Sequence, residues 1–437
     1  MQSSKHIYYL LASGTALTLA LTACGDSSGG GATADADEGD AGGDDSGQQI
    51  ELSVATFNEF GYEELLKEYE DANPGIKVSH VKADTADNAR VALRNSLGAN
   101  SGAADIEAME VDWVTEFKQY PDKFADLSDP EVEDRWLDWK TEDATLDDGK
   151  LIGYGTDIGP EAVCYRADLF DQAGLPTDRE EVAELLGETW DDYFAVGREF
   201  VASSDAAWYD SAGALWQGMI NQVDLAYQDA DGNVVATTNA EVRGLYDQVL
   251  KASVDEELSA GLGQWSDDWN AAFQQDEFAT MLCPGWMLGV IEGNADGVEG
   301  WDVANVFPGG GGNWGGSYLT VPAQGDHVEE AKKLAAWLTA PEQQIKAFSA
   351  KGTFPSQVEA LSSDTLLSST NAFFNDAPTG QIFADRAEAV TMQPTKGPKY
   401  FDINSALQDA ITRVDVDGTD DAESSWAKFV SDVEALG

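Results

Sequence analysis

Strand-like and helix-like patterns alternate along residues 50–111, and this alternation limits the fold more than any other feature of the chain. Apolar and polar residues alternate where strands are predicted, and apolar residues recur at helical spacing between them. The run Asn73-Pro74-Gly75 ends the first helix, and Gly98 ends the second. This order favours right-handed crossovers and a mostly parallel sheet in an α/β protein. The strands are predicted over residues 50–57, 76–81 and 105–111, and the helices over 62–72 and 89–97.

Polar residues follow each of the three predicted strands. Asn58 and Glu59 come after the first strand, and Asp84 comes after the second. Asp112 and Trp113 come after the third. In sheets of this kind ligands bind beyond the carboxyl ends of the strands, so these five residues are candidates for a binding site. Helix capping would equally explain Asp84.

The amino terminus has the pattern of an export signal. Lys5 precedes an apolar stretch over residues 8–20 that is too short for a stable membrane span. The run Leu21-Thr22-Ala23 followed by Cys24 resembles the bacterial lipobox, in which the cysteine is diacylated and becomes the first mature residue. Residues 1–23 are therefore predicted to be a lipoprotein signal peptide. An ordinary cleaved signal with an incidental cysteine is the alternative.

The segment after the signal is predicted to be a spacer. Residues 24–49 are rich in glycine, serine and acidic residues and have almost no apolar bulk. A segment of this composition cannot bury enough surface to offset its ordering entropy, so we expect it to be disordered. A lipidated Cys24 would then tether the folded body to the outer face of the cell membrane.

Charge and composition restrict the function of the folded body. The formal net charge of −55 argues against nucleic acid, anionic membranes and other polyanionic partners. Hydrophobic residues make up 43% of the chain, which is typical of a globular protein. The residues after the spacer suffice for two domains with their own cores.

The chain has three cysteines and three histidines, and their spacing predicts no metal site and no cofactor. If Cys24 carries lipid, Cys164 and Cys283 remain, both in strand-like runs. In an oxidising compartment they could form a disulfide if their strands are neighbours. Two buried thiols are the alternative.

Six segments, taken in order, resemble the sugar-binding lipoproteins of ABC importers, the group that includes the maltodextrin-binding proteins. Together they extend over most of residues 50–437. The text around residues 111–113, 119–123 and 153–161 is most similar to actinobacterial cellobiose- and cello-oligosaccharide-binding proteins. The segments are TFNEFGYEELLKEYEDANPGIKV, ADIEAMEVDWV, LIGYGTDIGPEAVCYRADLFDQAGLP, FATMLCPGWMLG, WDVANVFPGGGGNWGGSYLTVP and HVEEAKKLAAWLTAPEQQIKAFSAKGTFPSQ.

The resemblance implies a two-lobe, periplasmic-binding-protein-like α/β fold of type II, in which the chain crosses the hinge three times. It also implies an oligosaccharide held between the lobes, ABC permease subunits as membrane partners, and no catalysis. Closure follows from the ligand's preference for the closed form. We expect a monomer. The first lobe is expected over residues 50–158 and 320–378, and the second over 159–319 and 379–437.

Aromatic residues are candidates for stacking on sugar rings, because flat rings cover the apolar C–H faces of a pyranose. Trp286 and Trp216 match positions at which the family places stacking aromatics. Trp314 lies between glycine pairs, and Gly315 and Gly316 would let a ligand approach the backbone. Tyr400 is a further candidate, and Trp113 could bind the same ring as its neighbouring carboxylate. Packing in the core is the alternative for each of these aromatic residues.

Carboxylates and amides are candidates for binding the hydroxyl rim of the sugar. Glu59, Asp112 and Asp157 are the preferred acceptors, followed by Asn58 and Asp84. Asp157 precedes an expected hinge crossing and could brace the hinge instead. In a chain with 80 acidic residues, some carboxylates will lie near any cleft by chance.

Other classes of function are less consistent with the sequence. A secreted glycoside hydrolase needs two carboxyl groups at a defined separation, but the abundance of carboxylates here is no evidence for such a pair. No nucleophile elbow or phosphate-binding loop occurs. An adhesion module would show repeats, and none is apparent. Xylo- and malto-oligosaccharides remain alternative ligands.

Overall fold

Two β-sheets organise residues 49–437, which are the residues that the computed structural model describes. The expected signal peptide, Cys24 and all but the last residue of the spacer lie outside the described residues. The strands are β1 (Ile50–Phe57), β2 (Ile76–Ala83), β3 (Ile106–Glu110), β4 (Tyr154–Gly155), β5 (Glu161–Arg166), β6 (Ala207–Tyr209), β7 (Phe278–Pro284), β8 (Trp301–Ala304) and β9 (Ser317–Thr320).

Helices cover both sheets, and none within residues 49–437 is long and apolar enough to cross a bilayer. Short 3₁₀ turns cover Pro121–Lys123 and Pro130–Val132, and a π turn covers Lys251–Asp255. The α-helices are α1 (Glu63–Ala72), α2 (Ala86–Ala99), α3 (Val114–Phe117), α4 (Asp138–Asp143), α5 (Ala167–Ala173), α6 (Arg179–Leu186), α7 (Trp190–Val201), α8 (Ala212–Ile220), α9 (Ala240–Leu250), α10 (Asp267–Ala272), α11 (Met287–Asn294), α12 (Val328–Leu338), α13 (Pro341–Lys351), α14 (Val358–Leu361), α15 (Asp364–Leu367), α16 (Thr379–Ala389), α17 (Tyr400–Asp415) and α18 (Ala422–Ala435).

The first strand–helix–strand unit agrees with the sequence pattern. The strand predicted over residues 50–57 is confirmed, and β1 pairs with β2 in parallel with Ile50 opposite Ile76. The second helix is longer than predicted, because it runs through Gly98. It begins after Thr85, whose hydroxyl accepts the N–H of Asn88, and ends at Asn100, which adopts a left-handed conformation (φ 51°).

Both complete sheets are mixed, although β1, β2 and β3, the strands for which parallel pairing is predicted, are parallel as expected. In the first sheet, ordered β2-β1-β3-β9-β4, β9 runs antiparallel to both of its neighbours. In the second sheet, ordered β6-β7-β5-β8, only β6 and β7 are parallel. The cause is the chain path, because the chain leaves the first sheet after β4 and returns to it as β9 only after it has formed the second sheet.

The expectation of two α/β lobes is confirmed, since each sheet carries its own buried core. Leu366, Phe374 and Ala377, which the expected boundaries assign to the first lobe, pack with Cys164 in a third cluster on the second sheet. The exact lobe boundaries stay a prediction.

The connections between the sheets are held by backbone and side-chain contacts. Asp157 pairs with Pro355, and Pro160 pairs with Asn313, through isolated β-bridges. The side chain of Asn313 is buried, accepts the N–H of Gly159 at 2.9 Å and donates to the carbonyl of Gly315 at 3.0 Å. One amide therefore ties the two connecting segments together.

The structure joins Cys164 and Cys283 in a disulfide, as the sequence analysis considered. Their Cα atoms are 5.5 Å apart. The two residues lie on β5 and β7, which are neighbouring antiparallel strands of the second sheet. The bond therefore connects the centre of that sheet across a sequence separation of 119 residues.

Candidate functional site

The carboxyl ends of β1 and β3 meet at one edge of the first sheet. Asn58 follows β1 in a left-handed conformation (φ 47°), which asparagine tolerates better than most residues. Its N–H donates to the carbonyl of Ala83 at 3.1 Å, so β1 and β2 stay paired to their ends. Glu59 comes next in the chain, and Asp112 follows β3. These polar side chains line one wall of a cavity.

This cavity has a volume of about 490 Å³ and is lined by residues of both lobes. The structure brings together eight of the residues predicted to bind ligand: Asn58, Glu59, Asp112, Asp157, Trp286, Trp314, Gly315 and Gly316. It adds side chains that the sequence analysis did not select: Glu110, Gln217, Trp265, Phe401, Asn404 and Gln408.

Two tryptophans predicted to stack on sugar meet in the cavity wall. The indole N–H of Trp286 donates to the carbonyl of Trp314 at 2.9 Å, and the two rings cross at 85°. A Cβ at Gly315 would lie 3.2 Å from the Trp286 indole nitrogen, and one at Gly316 would lie 2.7 Å from the carbonyl of Asp157. Both glycines have positive φ. They therefore leave space for Trp286 and for the chain connection, in addition to lining the cavity.

Trp113 and Trp216, which were predicted to stack on the ligand, do not line the cavity. Both are 0% exposed. Trp113 turns into the core of the first lobe, where its ring lies 5.3 Å from that of Phe117. Trp216 lies in the core of the second lobe, and its indole N–H contacts the Tyr227 hydroxyl and the Asn404 carbonyl oxygen at 3.2 Å each. Packing explains both positions.

Tyr400 and Asp84 also lie outside the cavity lining. Tyr400 is 1% exposed, and its ring packs 5.0 Å from that of Tyr227. Asp84 is exposed, and its carboxylate accepts the side-chain amide of Asn88 at 2.7 Å. The helix cap that we considered for Asp84 is supplied by Thr85 instead.

Trp216 and Tyr227 nevertheless act on the cavity through Asn404. The Tyr227 hydroxyl donates to the Asn404 carbonyl oxygen at 2.7 Å. The Asn404 amide in turn donates to Gln217 at 2.8 Å, and Gln408 donates to the carbonyl of Gly213 at 3.0 Å. These bonds fix the orientation of the amides that α8 and α17 present to the cavity.

A buried ion pair lies behind the cavity wall at Asp112. Lys396, from the segment before α17, pairs with Asp112 of the first lobe, and both side chains are nearly buried. Burial opposes the charge of Lys396, but Asp112 and Glu110 raise its pKa. Burial, reinforced by Asp112, raises the pKa of Glu110 well above its usual range. Glu110 accepts the N–H of Asp112 at 2.7 Å, which holds the two carboxyl groups side by side.

A second lysine is buried close to Gly316 of the cavity lining. Lys140 is 1% exposed, its ammonium nitrogen has no hydrogen-bonding partner among residues 49–437, and it lies 3.9 Å from the centre of the Tyr318 ring. Burial lowers its pKa to about 8. Burial also raises the pKa of Asp157, one oxygen of which accepts from the Thr156 hydroxyl at 2.7 Å and from the N–H of Ser317 at 2.9 Å. Asp157 therefore braces the chain connection, as the sequence analysis considered.

Glu59 has a different environment, because it is half-exposed at the cavity edge. It pairs with Lys82 at 2.5 Å and with Lys351 at 3.4 Å. Partial burial opposes this, but the hydrogen bond from Lys82 and the charge of Lys351 lower the pKa of Glu59. The two lysines therefore favour the ionised form of this carboxylate, whose remaining lone pairs can accept hydroxyl donors.

Most of the residues that the sequence analysis missed lie on helices. Gln217 stands among apolar residues in α8, and Asn404 and Gln408 stand four residues apart in α17. A buried amide on an apolar helical face is a signal that could have identified them. Trp265 lies in a polar, glycine-containing loop, and no periodicity marked it.

The described residues thus form a two-lobe, periplasmic-binding-protein-like fold with an interlobe cavity lined by aromatic, amide and carboxyl groups. A family model described as "Bacterial extracellular solute-binding protein" matches residues 64–375. The chain belongs to this family of bacterial extracellular solute-binding proteins.

Comparisons with individual proteins agree with this assignment. A solved structure of an extracellular solute-binding protein of family 1 is 50% identical, with a TM-score of 0.77 over 88% of this chain and 99% of the other. A second solved structure is the β-1,6-galactobiose complex of an ABC-transporter-associated binding protein from B. animalis subsp. lactis. It is 20% identical, with a TM-score of 0.76, and the match covers 88% of this chain and 96% of the other. The arabinooligosaccharide-binding protein of Bacillus subtilis is 27% identical over 73% of this chain and 76% of its own.

Proposed function

We propose that this protein captures an oligosaccharide outside the cell and delivers it to the permease of an ABC importer. The observation that carries the proposal is the lining of the interlobe cavity. Trp265, Trp286 and Trp314 offer aromatic surface beside amide and carboxyl groups. Indole faces suit the C–H faces of sugar rings, and amides and carboxylates suit their hydroxyl groups.

Size and charge support a neutral sugar ligand. The cavity volume of about 490 Å³ lies within the usual range of about 300–1,000 Å³ for small-molecule sites. Its lining, which belongs to residues 49–437, includes seven carboxyl side chains and no lysine, arginine or histidine. Such a lining disfavours uronates and sugar phosphates.

The sugar that we propose is a cello-oligosaccharide such as cellobiose or cellotriose. Its support is the similarity of residues 111–113, 119–123 and 153–161 to cello-oligosaccharide-binding proteins. The curated relatives favour a second candidate, because arabinooligosaccharide-binding proteins of two bacteria match this chain at 27% identity. Xylo- and malto-oligosaccharides would suit the same chemistry.

Calorimetric titration of residues 49–437 tests the ligand class. The panel contains glucose, cellobiose, cellotriose, xylobiose, maltose and arabinotriose. We expect stoichiometric heat with the cello-oligosaccharides alone. Heat with arabinotriose alone would keep the importer and change the sugar, whereas no heat with any member would overturn the proposal. Binding without release of monosaccharide during incubation separates a binding protein from a hydrolase.

We also propose that Cys24 carries a lipid that holds the protein, as a monomer, on the outer face of the cell membrane. Replacement of Cys24 by alanine should release the protein into the medium, as measured by fractionation of cells and culture fluid. Retention of the C24A variant in the membrane fraction would contradict the anchor and leave the binding proposal intact.

A further inference from the structure

We propose that Trp265 forms an outer stacking subsite, which makes the protein select oligosaccharides of three or more rings over disaccharides. The inference rests on the proposed function, because it names the length of the sugar that the same cavity accepts. It starts from a residue that the sequence analysis did not select. Trp265 lines the cavity and is 36% exposed, which is unusual for a tryptophan in a globular protein.

Trp265 belongs to a continuous row of four tryptophans. Its ring centre lies 5.2 Å from that of Trp269, which is 0% exposed, and 6.1 Å from that of Trp286. The planes of Trp265 and Trp286 differ by only 23°. Trp314 follows, 5.4 Å from Trp286. The row therefore runs from the core of the second lobe into the cavity, and Trp265 is its most exposed member.

The backbone of Trp265 is strained. Its φ of 71° lies in the left-handed region, which a bulky side chain rarely adopts. Strain of this kind persists only where surrounding contacts impose it, and such residues concentrate at functional sites. Trp265 packs against Trp269 and Trp286, but 36% of its surface remains exposed in the cavity, where it can contact a ligand.

Buried Asp210 holds the loop in this conformation. The same carboxylate oxygen accepts the side-chain amide of Gln264 at 2.9 Å and the indole N–H of Trp269 at 2.8 Å. Asp210 is 1% exposed, and Ser266 caps the helix that follows the loop by accepting the N–H of Trp269 at 3.1 Å. Trp265 is thus fixed from both sides. A ring that is fixed before the ligand arrives loses less conformational entropy on binding.

The arrangement separates an inner from an outer part of the site. Trp286 and Trp314 are partly buried and cross at 85°, so they enclose the inner part. The nearly parallel face of Trp265 extends the aromatic surface from Trp286 toward solvent. A disaccharide held by the inner pair leaves Trp265 uncovered, whereas a third ring would cover it. Trp265 should therefore contribute to affinity only for longer chains.

Replacement of Trp265 by asparagine tests this subsite. Asparagine adopts the left-handed conformation readily, so W265N removes the ring and relieves the strain without breaking the loop. The probes are cello- and arabino-oligosaccharides of two, three and four rings, measured by calorimetry. We expect W265N to weaken binding of the three- and four-ring members by about tenfold, as for an aromatic hot spot, and to change disaccharide binding by less than about twofold.

Two further variants control the experiment. W265F keeps a flat ring and should retain most of the affinity for longer chains. W337A removes a partly buried tryptophan that packs on Tyr69, away from the cavity, and should change no affinity. If W265N lost the same affinity for sugars of two, three and four rings, or lost none for any of them, the proposed subsite would be overturned. If the unmodified protein bound neither series, the proposed function itself would fail, and the subsite would fail with it.

Discussion

Trp286, which is predicted from the sequence to stack on sugar, lies in the cavity wall. It follows β7, lines the cavity, and is fixed by the hydrogen bond from its indole N–H to Trp314. We expect W286A to weaken binding of the preferred sugar by about 1–3 kcal/mol, which is typical of a central aromatic contact. Calorimetry measures this, with W337A as the control. An unchanged affinity in a folded W286A variant would remove Trp286 from the site.

Glu161 is a buried acid without a hydrogen-bonding partner. It lies on β5 and is 0% exposed, and neither of its carboxyl oxygens has a partner within residues 49–437. Burial raises its pKa well above the ordinary value of 4.5. The carboxyl group is therefore protonated in the folded protein at a pH at which it is ionised in the unfolded chain.

The pKa of Glu161 makes stability depend on pH. Its contribution is complete below the unfolded pKa and is lost as the pH rises toward the folded pKa, because the unfolded chain then binds fewer protons. E161Q lacks this titration. The free energy of unfolding of E161Q relative to the native protein should therefore increase with pH, by up to about 1.4 kcal/mol per unit. Urea unfolding between pH 4 and 8 measures this difference in unfolding free energy. A difference that stays constant with pH would contradict the prediction.

Among individual residues, the sequence identified those whose position depends on the end of a strand. Asn58, Glu59 and Asp112 line the cavity because a strand end fixes where the next residue lies. Trp113 shows the limit of this rule, because the side-chain direction at the start of the following helix depends on tertiary packing. Trp265 could not be found by any local rule, because its position depends on the contacts of Gln264 and Trp269 with Asp210.

Among the elements of residues 49–437, the neighbouring strands β5 and β7 are joined by a disulfide as well as by hydrogen bonds. The Cys164–Cys283 disulfide restricts the unfolded chain over a separation of 119 residues. We expect the C164A/C283A variant to lose about 2–5 kcal/mol of unfolding free energy, as is typical of native disulfides. Urea denaturation with and without reductant measures this. Two free thiols in the unreduced native protein would contradict the bond.

The elements of the first sheet show why local patterns predict strands better than sheets. The alternation in residues 50–57 reports the burial of one strand face, and this burial is the same whichever neighbour pairs with the strand. The antiparallel entry of β9 depends on a connection through the other lobe, of which the local sequence carries no trace. The predicted end of α2, at residue 97, lies two residues before the observed end, because Asn100 rather than Gly98 adopts the left-handed conformation.

In the whole molecule, Arg90 joins the two lobes at the edge of the cavity. It lies on α2 and pairs with Glu116 of the same lobe and, at 2.7 Å, with Asp402 on α17 of the second lobe. Its guanidinium group also lies 4.2 Å from the centre of the Phe401 ring, which lines the cavity. The Arg90 side chain is 7% exposed and that of Glu116 is 9% exposed, so water screens this pair little, whereas Asp402 is 37% exposed and its contact is partly screened.

We expect R90M to favour separation of the lobes and to weaken sugar binding by about tenfold, because removal of one partner leaves Asp402 without its counter-ion. The change in lobe separation is measured by X-ray scattering without ligand, and affinity by calorimetry. R94M is a matched control, because Arg94 lies on the same helix and pairs with the same Glu116, and among residues 49–437 it forms no ion pair with the second lobe. Equal effects of R90M and R94M would show that the Asp402 contact is unimportant.

β1 connects the amino-terminal end of the folded body to the cavity within the first lobe. β1 begins at Ile50 and ends at Phe57 beside the cavity, and eight residues of strand extend over about 26 Å. A tether attached before Ile50 would therefore join the folded body through the first lobe, whose Glu59 and Asp112 line one side of the cavity. Relative to this tethered lobe, closure would carry Trp265 and Trp286 of the second lobe toward Glu59 and Asp112.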